Sequence, residues 1–190
     1  MYDLDRLTIK PALTKDFKKI CCLIKLSYSI FDPKNIIVKR ESIDLNMAPW
    51  IWYGDPELTW IVAKYQGEIV GFFLWRNKKR YSHMHSLFTH PKIGSLHTGD
   101  NLRKYHEKII IKQNPEVEVI TGHVPNSNVI ARFSHLKYGF IEVNQKNADI
   151  TEDSGLGDWI RNCIKFNNWP LPEGLILVVK YLYPSGKEKI

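Results

Sequence analysis

Cysteine is scarce in this 190-residue chain, which contains only Cys21, Cys22 and Cys163. An odd number of cysteines without a Cys-x-x-Cys motif excludes a disulfide framework of the kind that stabilises small secreted domains. Proteins of the reducing cytosol keep their thiols free. The cysteine content therefore predicts a cytoplasmic protein.

Long apolar segments are also absent, and so are repeats and low-complexity tracts. No apolar run approaches the roughly 20 residues that a membrane-spanning helix needs. The first five residues are acidic and lack the apolar region of a signal peptide. Hydrophobic residues make up 44% and charged residues 25% of the chain, which is typical of a globular protein. We therefore expect one domain over residues 1–190 and no membrane partner.

Acidic residues are outnumbered by basic ones. The chain has 27 lysines and arginines against 20 aspartates and glutamates, a formal net charge of +7. The lysines are spread along the whole chain. A basic surface attracts anionic partners, and an anionic cofactor and a nucleic acid both qualify. Charge alone does not choose between these two partners.

Hydrophobic periodicity predicts that strands dominate early in the chain and that helices are interleaved later. Residues 68–75 are apolar nearly throughout, as in a central strand, and a Gln66-Gly67 turn precedes them. The other expected strands are 7–10, 59–64, 84–90, 117–123, 140–143 and 175–182, and the expected helices are 14–28, 98–113 and 127–137. This order favours an α/β (α+β) fold, with a mixed, partly antiparallel central sheet flanked by helices. Residues 144–173 form a polar insertion before the last strand.

The turn before the helix at 98–113 has the composition of an anion site. A strand ends there and a helix begins, so the unpaired N–H groups and the dipole of the first helical turn are available to a ligand. Gly94 and Gly99 let the backbone approach a phosphate closely, and Ser95 and Thr98 offer hydroxyl hydrogen bonds. Glycine and serine are also common in strand–helix turns for geometric reasons alone. The turn therefore indicates a phosphate site only together with other features.

The order of motifs along the chain resembles that of the GCN5-related N-acetyltransferase (GNAT) superfamily. The most specific match is the family's Asn-x-x-Ala, aromatic and Gly-Phe spacing, which fits Asn128-Val129-Ile130-Ala131, His135 and Gly139-Phe140. The matches to the family's earlier strands and first helix are Leu7–Ala12 with Asp16-Phe17, Ile61–Phe72 and Leu87–Pro91. The resemblance therefore runs from about Leu7 to Phe140.

The resemblance implies a GNAT-like fold and the transfer of an acetyl group from acetyl-CoA to a primary amine by direct attack. It implies that the backbone of Leu87 and Thr89 pairs with the pantetheine arm and that Asn128 faces the cofactor near the thioester. The residues that it assigns to the pyrophosphate are Gly94, Ser95, Thr98 and Gly99.

The same resemblance supplies two catalytic candidates. The amine must be deprotonated before it attacks, and His85 stands where many family members carry glutamate. A histidine can accept that proton at neutral pH, directly or through water. His135 stands at the position of the family's frequent tyrosine acid and can protonate the departing thiolate. No covalent enzyme intermediate is required, so the chemistry needs no cysteine or serine nucleophile.

The pyrophosphate loop of this chain is degenerate relative to the family pattern Arg/Gln-x-x-Gly-x-Gly/Ala. Its three defining positions hold Gly94, His97 and Gly99, so only the last glycine is kept. The degenerate loop therefore leaves open a catalytically inactive GNAT-like binding or structural protein. The positive charge and the aromatic residues leave open a second alternative, a GNAT-like enzyme that modifies nucleic acid.

An aromatic segment indicates where the substrate can bind. Trp50, Trp52 and Tyr53 stand beside Asp55, where the resembling family places a loop that covers the substrate. An aromatic wall with a carboxylate suits a cationic amine, carried by a small molecule or a protein. The tryptophans can equally anchor the loop in the core. Paired subunits are common in the resembling family, so a homodimer is compatible with the resemblance, although the sequence does not fix the oligomeric state. The spacing of the histidines predicts no metal.

Overall fold

The computed structural model describes residues 7–31, 34, 49, 53–78, 80–91, 97–143 and 175–182. These residues form seven strands, three α-helices and a one-turn 3-10 helix. The strands are β1 (Leu7–Pro11), β2 (Leu58–Tyr65), β3 (Glu68–Asn77), β4 (Tyr81–Thr89), β5 (Val119–Pro125), β6 (Ile141–Val143) and β7 (Leu175–Tyr181). The helices are the 3-10 turn Thr14–Asp16, α1 (Phe17–Phe31), α2 (Thr98–Gln113) and α3 (Val129–Lys137).

All seven strands belong to one sheet, in the order β1-β2-β3-β4-β5-β7-β6. β1 with β2, β2 with β3, β5 with β7 and β6 with β7 run antiparallel. β4 and β5 run parallel, with Tyr81 opposite Val119 and Met84 opposite Gly122. A parallel pair needs a crossover connection, and α2 lies in it. The predicted fold class, a mixed and partly antiparallel sheet with helices, is confirmed.

The elements group into two compact units. The first comprises Met1–Arg76 with His85–Lys108, and the second comprises Asn77–Met84 with Ile109–Ile190. β4 and α2 each contribute residues to both units. A single domain over residues 1–190 stays a prediction. The insertion predicted at 144–173 lies outside the described residues.

In the first unit, β3 alternates its side chains between two layers of helix. Phe72 and Leu74 belong to the core that α1 covers, together with Phe17 and Ile20. On the opposite face of the strand, the Phe73 ring meets His106 of α2 with ring centroids 4.8 Å apart. Both faces of β3 are thus covered, which explains why residues 68–75 are apolar nearly throughout.

His106 is part of this second layer. It is 1% exposed, and its ring also contacts Trp75 at a centroid distance of 4.6 Å. Burial lowers the pKa of His106 to about 3, because the charged imidazolium would lose its hydration. The side chain is therefore neutral at physiological pH and serves the packing of α2 on β3.

The absence of a side chain at Gly71 of β3 lets α2 come close. A Cβ placed on Gly71 would lie 2.7 Å from Cγ2 of Thr98 and 3.1 Å from Cδ1 of Leu102. Real Cβ atoms essentially never approach another atom to 2.7 Å. The first turn of α2 therefore occupies space that only glycine leaves open on β3.

Asp16 joins the start of α1 to β2. Its Oδ1 accepts a hydrogen bond from Lys64 at 2.7 Å, and its Oδ2 accepts one from the Leu13 N–H at 3.1 Å. Burial raises the pKa of Asp16, but these two hydrogen bonds and the charges of Lys64 and Lys15 outweigh burial and hold the pKa below its usual value. The carboxylate is therefore charged at neutral pH and fixes the helix on the strand.

In the second unit, α3 is capped at both ends and tied to β6. Asn128 accepts a hydrogen bond from the Ala131 N–H at 3.1 Å, as an N-cap residue does. Gly139, at φ +86°, lies just beyond the C-terminal end of the helix in the left-handed conformation that glycine adopts readily. Arg132 donates to Glu142 at 2.8 and 2.9 Å, which lowers the pKa of the glutamate.

Candidate functional site

Three of the predicted site residues share one face of β4. His85, Leu87 and Thr89 alternate along the strand, while Phe88 between them points into the core that α1 covers. His85 is exposed, and its Nδ1 lies 3.2 Å from the Ser86 hydroxyl. Leu87 and Thr89 are half-buried. The three side chains therefore lie on the face of the sheet that α2 covers.

The first turn of α2 meets β4 at Gly99. A Cβ placed on Gly99 would lie 3.6 Å from Cγ2 of Thr89 and 3.6 Å from Nη1 of Arg103. Gly99 is therefore close to both the end of β4 and the Arg103 guanidinium. Thr98 and Gly99 share the first turn of α2, and Thr89 at the end of β4 lies close to that turn. All three residues were predicted from the sequence to bind the cofactor.

Thr98 begins α2 with a buried hydroxyl. The residue is 3% exposed, and Oγ1 has no hydrogen-bond partner among the described residues. Its Cγ2 methyl faces Gly71. Leaving a buried hydroxyl unpaired costs about 1–3 kcal/mol. Buried polar atoms in folded proteins nearly always have a partner, so Oγ1 is suited to bond with a ligand oxygen.

His97 precedes this turn in an unusual backbone conformation. Its φ of +47° lies in the left-handed region that glycine adopts readily and that costs other residues about 1–2 kcal/mol. The resembling family has glycine at this position. The chain thus keeps the backbone conformation that favours glycine, while the imidazole is 64% exposed and its Nδ1 lies 3.7 Å from Oδ2 of Asp100.

Arg103 is a residue of this site that the sequence did not reveal. It is 4% exposed, and its Nη1 donates to Oδ1 of Asp100 at 3.1 Å. The sequence feature that could have indicated this contact is the i, i+3 spacing of Asp100 and Arg103, which places both residues on the same side of a helix. That spacing is equally common on solvated helix faces, so it did not predict a buried guanidinium beside Gly99.

The predicted acid His135 and the predicted cofactor residue Asn128 belong to α3. His135 is 6% exposed, and its Nδ1 lies 2.7 Å from the Ala131 carbonyl oxygen. Since a carbonyl only accepts, Nδ1 carries the hydrogen, and a neutral ring then presents Nε2 as an acceptor. The ring contacts Phe140 edge-on, at a centroid distance of 5.1 Å. Asn128 uses its amide oxygen to cap the helix.

Of the predicted substrate residues, Tyr53 and Asp55 are described. The Tyr53 ring is 57% exposed and meets Phe17 edge-on, with centroids 5.2 Å apart. Asp55 forms an ion pair with Arg76 and accepts a hydrogen bond from the Glu57 N–H at 2.9 Å. The Asp55 carboxylate thus already has a cationic partner, and a substrate amine would have to compete with it.

Two histidines outside the predicted site lie side by side on β4 and β5. The rings of His83 and His123 are 4.7 Å apart between centroids, and His83 Nδ1 lies 2.9 Å from the Thr121 hydroxyl. Among the described residues, no group of three or more histidine, cysteine, aspartate or glutamate side chains is placed to hold a metal ion.

Four predicted site residues, Trp50, Trp52, Gly94 and Ser95, lie outside the described residues, and their roles stay predictions. None of the helices in the described part of the chain has the length and apolar character that crossing a membrane requires.

Comparison with known proteins identifies the fold. No family model matches the chain, and no curated protein matches it. Solved structures do match over 92–93% of this chain and 98–99% of theirs. A GNAT-family acetyltransferase from Staphylococcus aureus superimposes with a TM-score of 0.65 at 14% identity.

Two further matches are to solved structures of N-acetyltransferases. The PaiA N-acetyltransferase from Thermoplasma acidophilum, solved in complex with coenzyme A, has a TM-score of 0.67 at 12% identity. A ribosomal-protein-alanine N-acetyltransferase from Brucella melitensis has a TM-score of 0.58 at 16% identity. At such identities the similarity shows a shared fold, and the chain therefore has the fold of GNAT acetyltransferases.

Proposed function

We propose that the protein is an acyl-CoA-dependent N-acetyltransferase that transfers an acetyl group from acetyl-CoA to a primary amine. The observation that carries this proposal is the buried Thr98 hydroxyl, which has no hydrogen-bond partner among the described residues. It lies in the first turn of a 16-residue helix, where unpaired N–H groups and the helix dipole favour an anion. The GNAT-like fold supports the same reading.

The residues around this turn fit a pyrophosphate. Its oxygens are acceptors, and the turn offers backbone N–H donors together with the Thr98 hydroxyl. Gly99 adds no side chain to the surface between Thr89 and Arg103. We assign the pyrophosphate to Thr98 and Gly99, together with Gly94 and Ser95, which precede them in the sequence. The backbone of Leu87 and Thr89, on the adjoining strand, then pairs with the pantetheine amides.

The chemical step requires little from the protein beyond positioning and proton transfer. Bound acetyl-CoA supplies an activated acetyl group as a thioester. His85 is exposed on β4 and takes the proton from the substrate ammonium, directly or through a water molecule. His135 returns a proton to the leaving thiolate through Nε2. Since its Nδ1 hydrogen is held by the Ala131 carbonyl, His135 must be an imidazolium at that moment.

An assay of thiol release with acetyl-CoA and a panel of primary amines tests this function. We expect amine-dependent release from the wild type. We expect His85→Gln to lower kcat by about 10²- to 10⁴-fold, the usual contribution of a general base. His135→Phe should lower kcat with little change in the KM for acetyl-CoA, because the ring is not assigned to cofactor binding.

Two outcomes would contradict these assignments. A wild type that binds acetyl-CoA but releases no thiol with any amine would support the catalytically inactive relative instead. An unchanged kcat in either histidine variant would remove that residue from the mechanism while leaving the function intact.

The inactive alternative is favoured by one observation, the carboxylate of Asp100 in the first turn of α2. A negative charge there suits the helix dipole but repels a phosphate. The side-chain geometry around Asp100 therefore bears directly on whether an anion can bind.

A further inference from the structure

Asp100 lies between two potential cations. Its Oδ1 accepts a hydrogen bond from Arg103 Nη1 at 3.1 Å, and its Oδ2 lies 3.7 Å from His97 Nδ1. The His97 contact is longer and lies on an exposed side chain, whereas the Arg103 contact is a charge-assisted hydrogen bond. Arg103 therefore compensates most of the charge that Asp100 brings to this turn.

Arg103 is more deeply buried than its partner. Its side chain is 5% exposed, against 32% for Asp100. A guanidinium stays charged at any physiological pH, and a buried charge requires compensation. A pair of this kind on a solvated helix face would have both ends in water. Here the cation is enclosed and the carboxylate remains accessible to solvent.

The guanidinium also lies against the turn assigned to the anion. Nη1 is 3.6 Å from the position of a Cβ on Gly99, and Gly99 directly follows Thr98 with its buried hydroxyl. The positive charge is therefore beside the backbone that would approach a pyrophosphate. In the low dielectric of this surrounding its field is screened less than that of an exposed lysine.

We propose that Arg103 is the cation of this anion site: it neutralises Asp100 and supplies the positive charge that the loop lacks at Gly94. This inference rests on the proposed function, because it names a residue of the same cofactor site. Arg103 acts by neutralising the Asp100 carboxylate and through the electric field of its guanidinium at the first turn of α2. It is a positioning and charge-balancing residue that determines the affinity for the pyrophosphate.

Calorimetric titration with coenzyme A tests this role on the wild type, Arg103→Gln, Asp100→Asn and the double variant. We expect Arg103→Gln to raise the Kd by at least about tenfold, because it leaves the Asp100 charge uncompensated at the anion site. Asp100→Asn should bind as tightly as the wild type or more tightly. The double variant should recover only part of this loss, with a Kd between those of the wild type and Arg103→Gln, since it removes the repulsive charge but still lacks the guanidinium.

Lys104→Gln is the matched control, because it removes one positive charge from the same helix at an exposed position. It should change the Kd by less than about threefold, as a screened surface charge does. Thermal unfolding without ligand on all five proteins separates a folding defect from an effect on affinity.

The outcomes distinguish this role from the proposed function. An unchanged Kd in a folded Arg103→Gln protein, or no recovery in the double variant, would overturn the role of Arg103 alone. If Arg103→Gln does not fold, Asp100→Asn decides, because tenfold weaker binding by that variant would overturn the role. No binding of coenzyme A by the wild type would overturn the proposed function, and the role of Arg103 with it.

Discussion

Replacing Phe72 with alanine is expected to lower the free energy of unfolding by about 3–5 kcal/mol, as for other fully buried phenylalanines. Its ring is 0% exposed and stacks against Trp60 and Phe88, with centroids 6.5 and 5.2 Å away. These contacts join β2, β3 and β4 under α1. Truncation would leave a cavity between two aromatic rings that cannot easily collapse. Denaturant unfolding monitored by tryptophan fluorescence measures the change.

Phe133→Ala is the control for this experiment, because it makes the same chemical change on α3 at a side chain that is 69% exposed. Its effect should lie within about 0.5 kcal/mol, as is usual for surface positions. A loss below about 1 kcal/mol for Phe72→Ala would contradict the packing of α1 on the sheet, because fully buried aromatic rings contribute more than that.

Replacing Gly71 with valine is expected to impair both folding and acetyl transfer. The new Cβ would overlap Cγ2 of Thr98 at 2.7 Å and crowd the Phe88 carbonyl oxygen at 3.2 Å. Overpacking of this kind costs about 1–3 kcal/mol. The first turn of α2 must move to relieve it, and a displacement of about 1 Å at a site can cost on the order of 100-fold in rate. We therefore expect kcat/KM for acetyl-CoA to fall by about that factor.

Gly67→Ala provides a comparison of similar stability cost. Gly67 lies in the β2–β3 turn at φ +83°, with no atom within 4 Å of a Cβ placed on it. An alanine there is strained by about 1–3 kcal/mol but touches nothing in α2. Its kcat/KM should stay within a few fold of the wild type. Equal losses of activity in the two variants would show that instability, rather than displacement of α2, is responsible.

The local sequence pattern predicted helices and strands well where the burial of an apolar face determines them. The apolar run at 68–75 predicted a central strand, and both faces of β3 are indeed covered by helices. The helix expected at 98–113 matches α2 at both ends. The helix expected at 127–137 corresponds to α3, whose two ends are the N-cap side chain of Asn128 and the left-handed Gly139.

Pairings between distant residues could not be predicted in the same way. Asp55 meets Arg76 from 21 positions away, so its sequence neighbours gave no sign that the carboxylate has a cationic partner. His106 is buried against β3 and Arg103 is buried beside Gly99 because of the way α2 packs. Hydrophobic periodicity predicts that α2 is a helix, but it does not predict which of its polar side chains become buried. The anion site that the sequence predicts at the first turn of α2 stays a prediction, and the sequence did not indicate that Arg103 is buried beside Asp100.

Titration of the 15N-labelled protein with coenzyme A, followed by backbone amide NMR, tests the central claim most directly. The claim is that the first turn of α2 binds the pyrophosphate of the cofactor. We predict saturable changes in the amide chemical shifts of Thr98, Gly99, Asp100 and Thr89. The amide chemical shifts of α1 should remain unchanged. Absence of shifts at millimolar coenzyme A, or saturable shifts that leave the α2 turn unchanged, would contradict the claim.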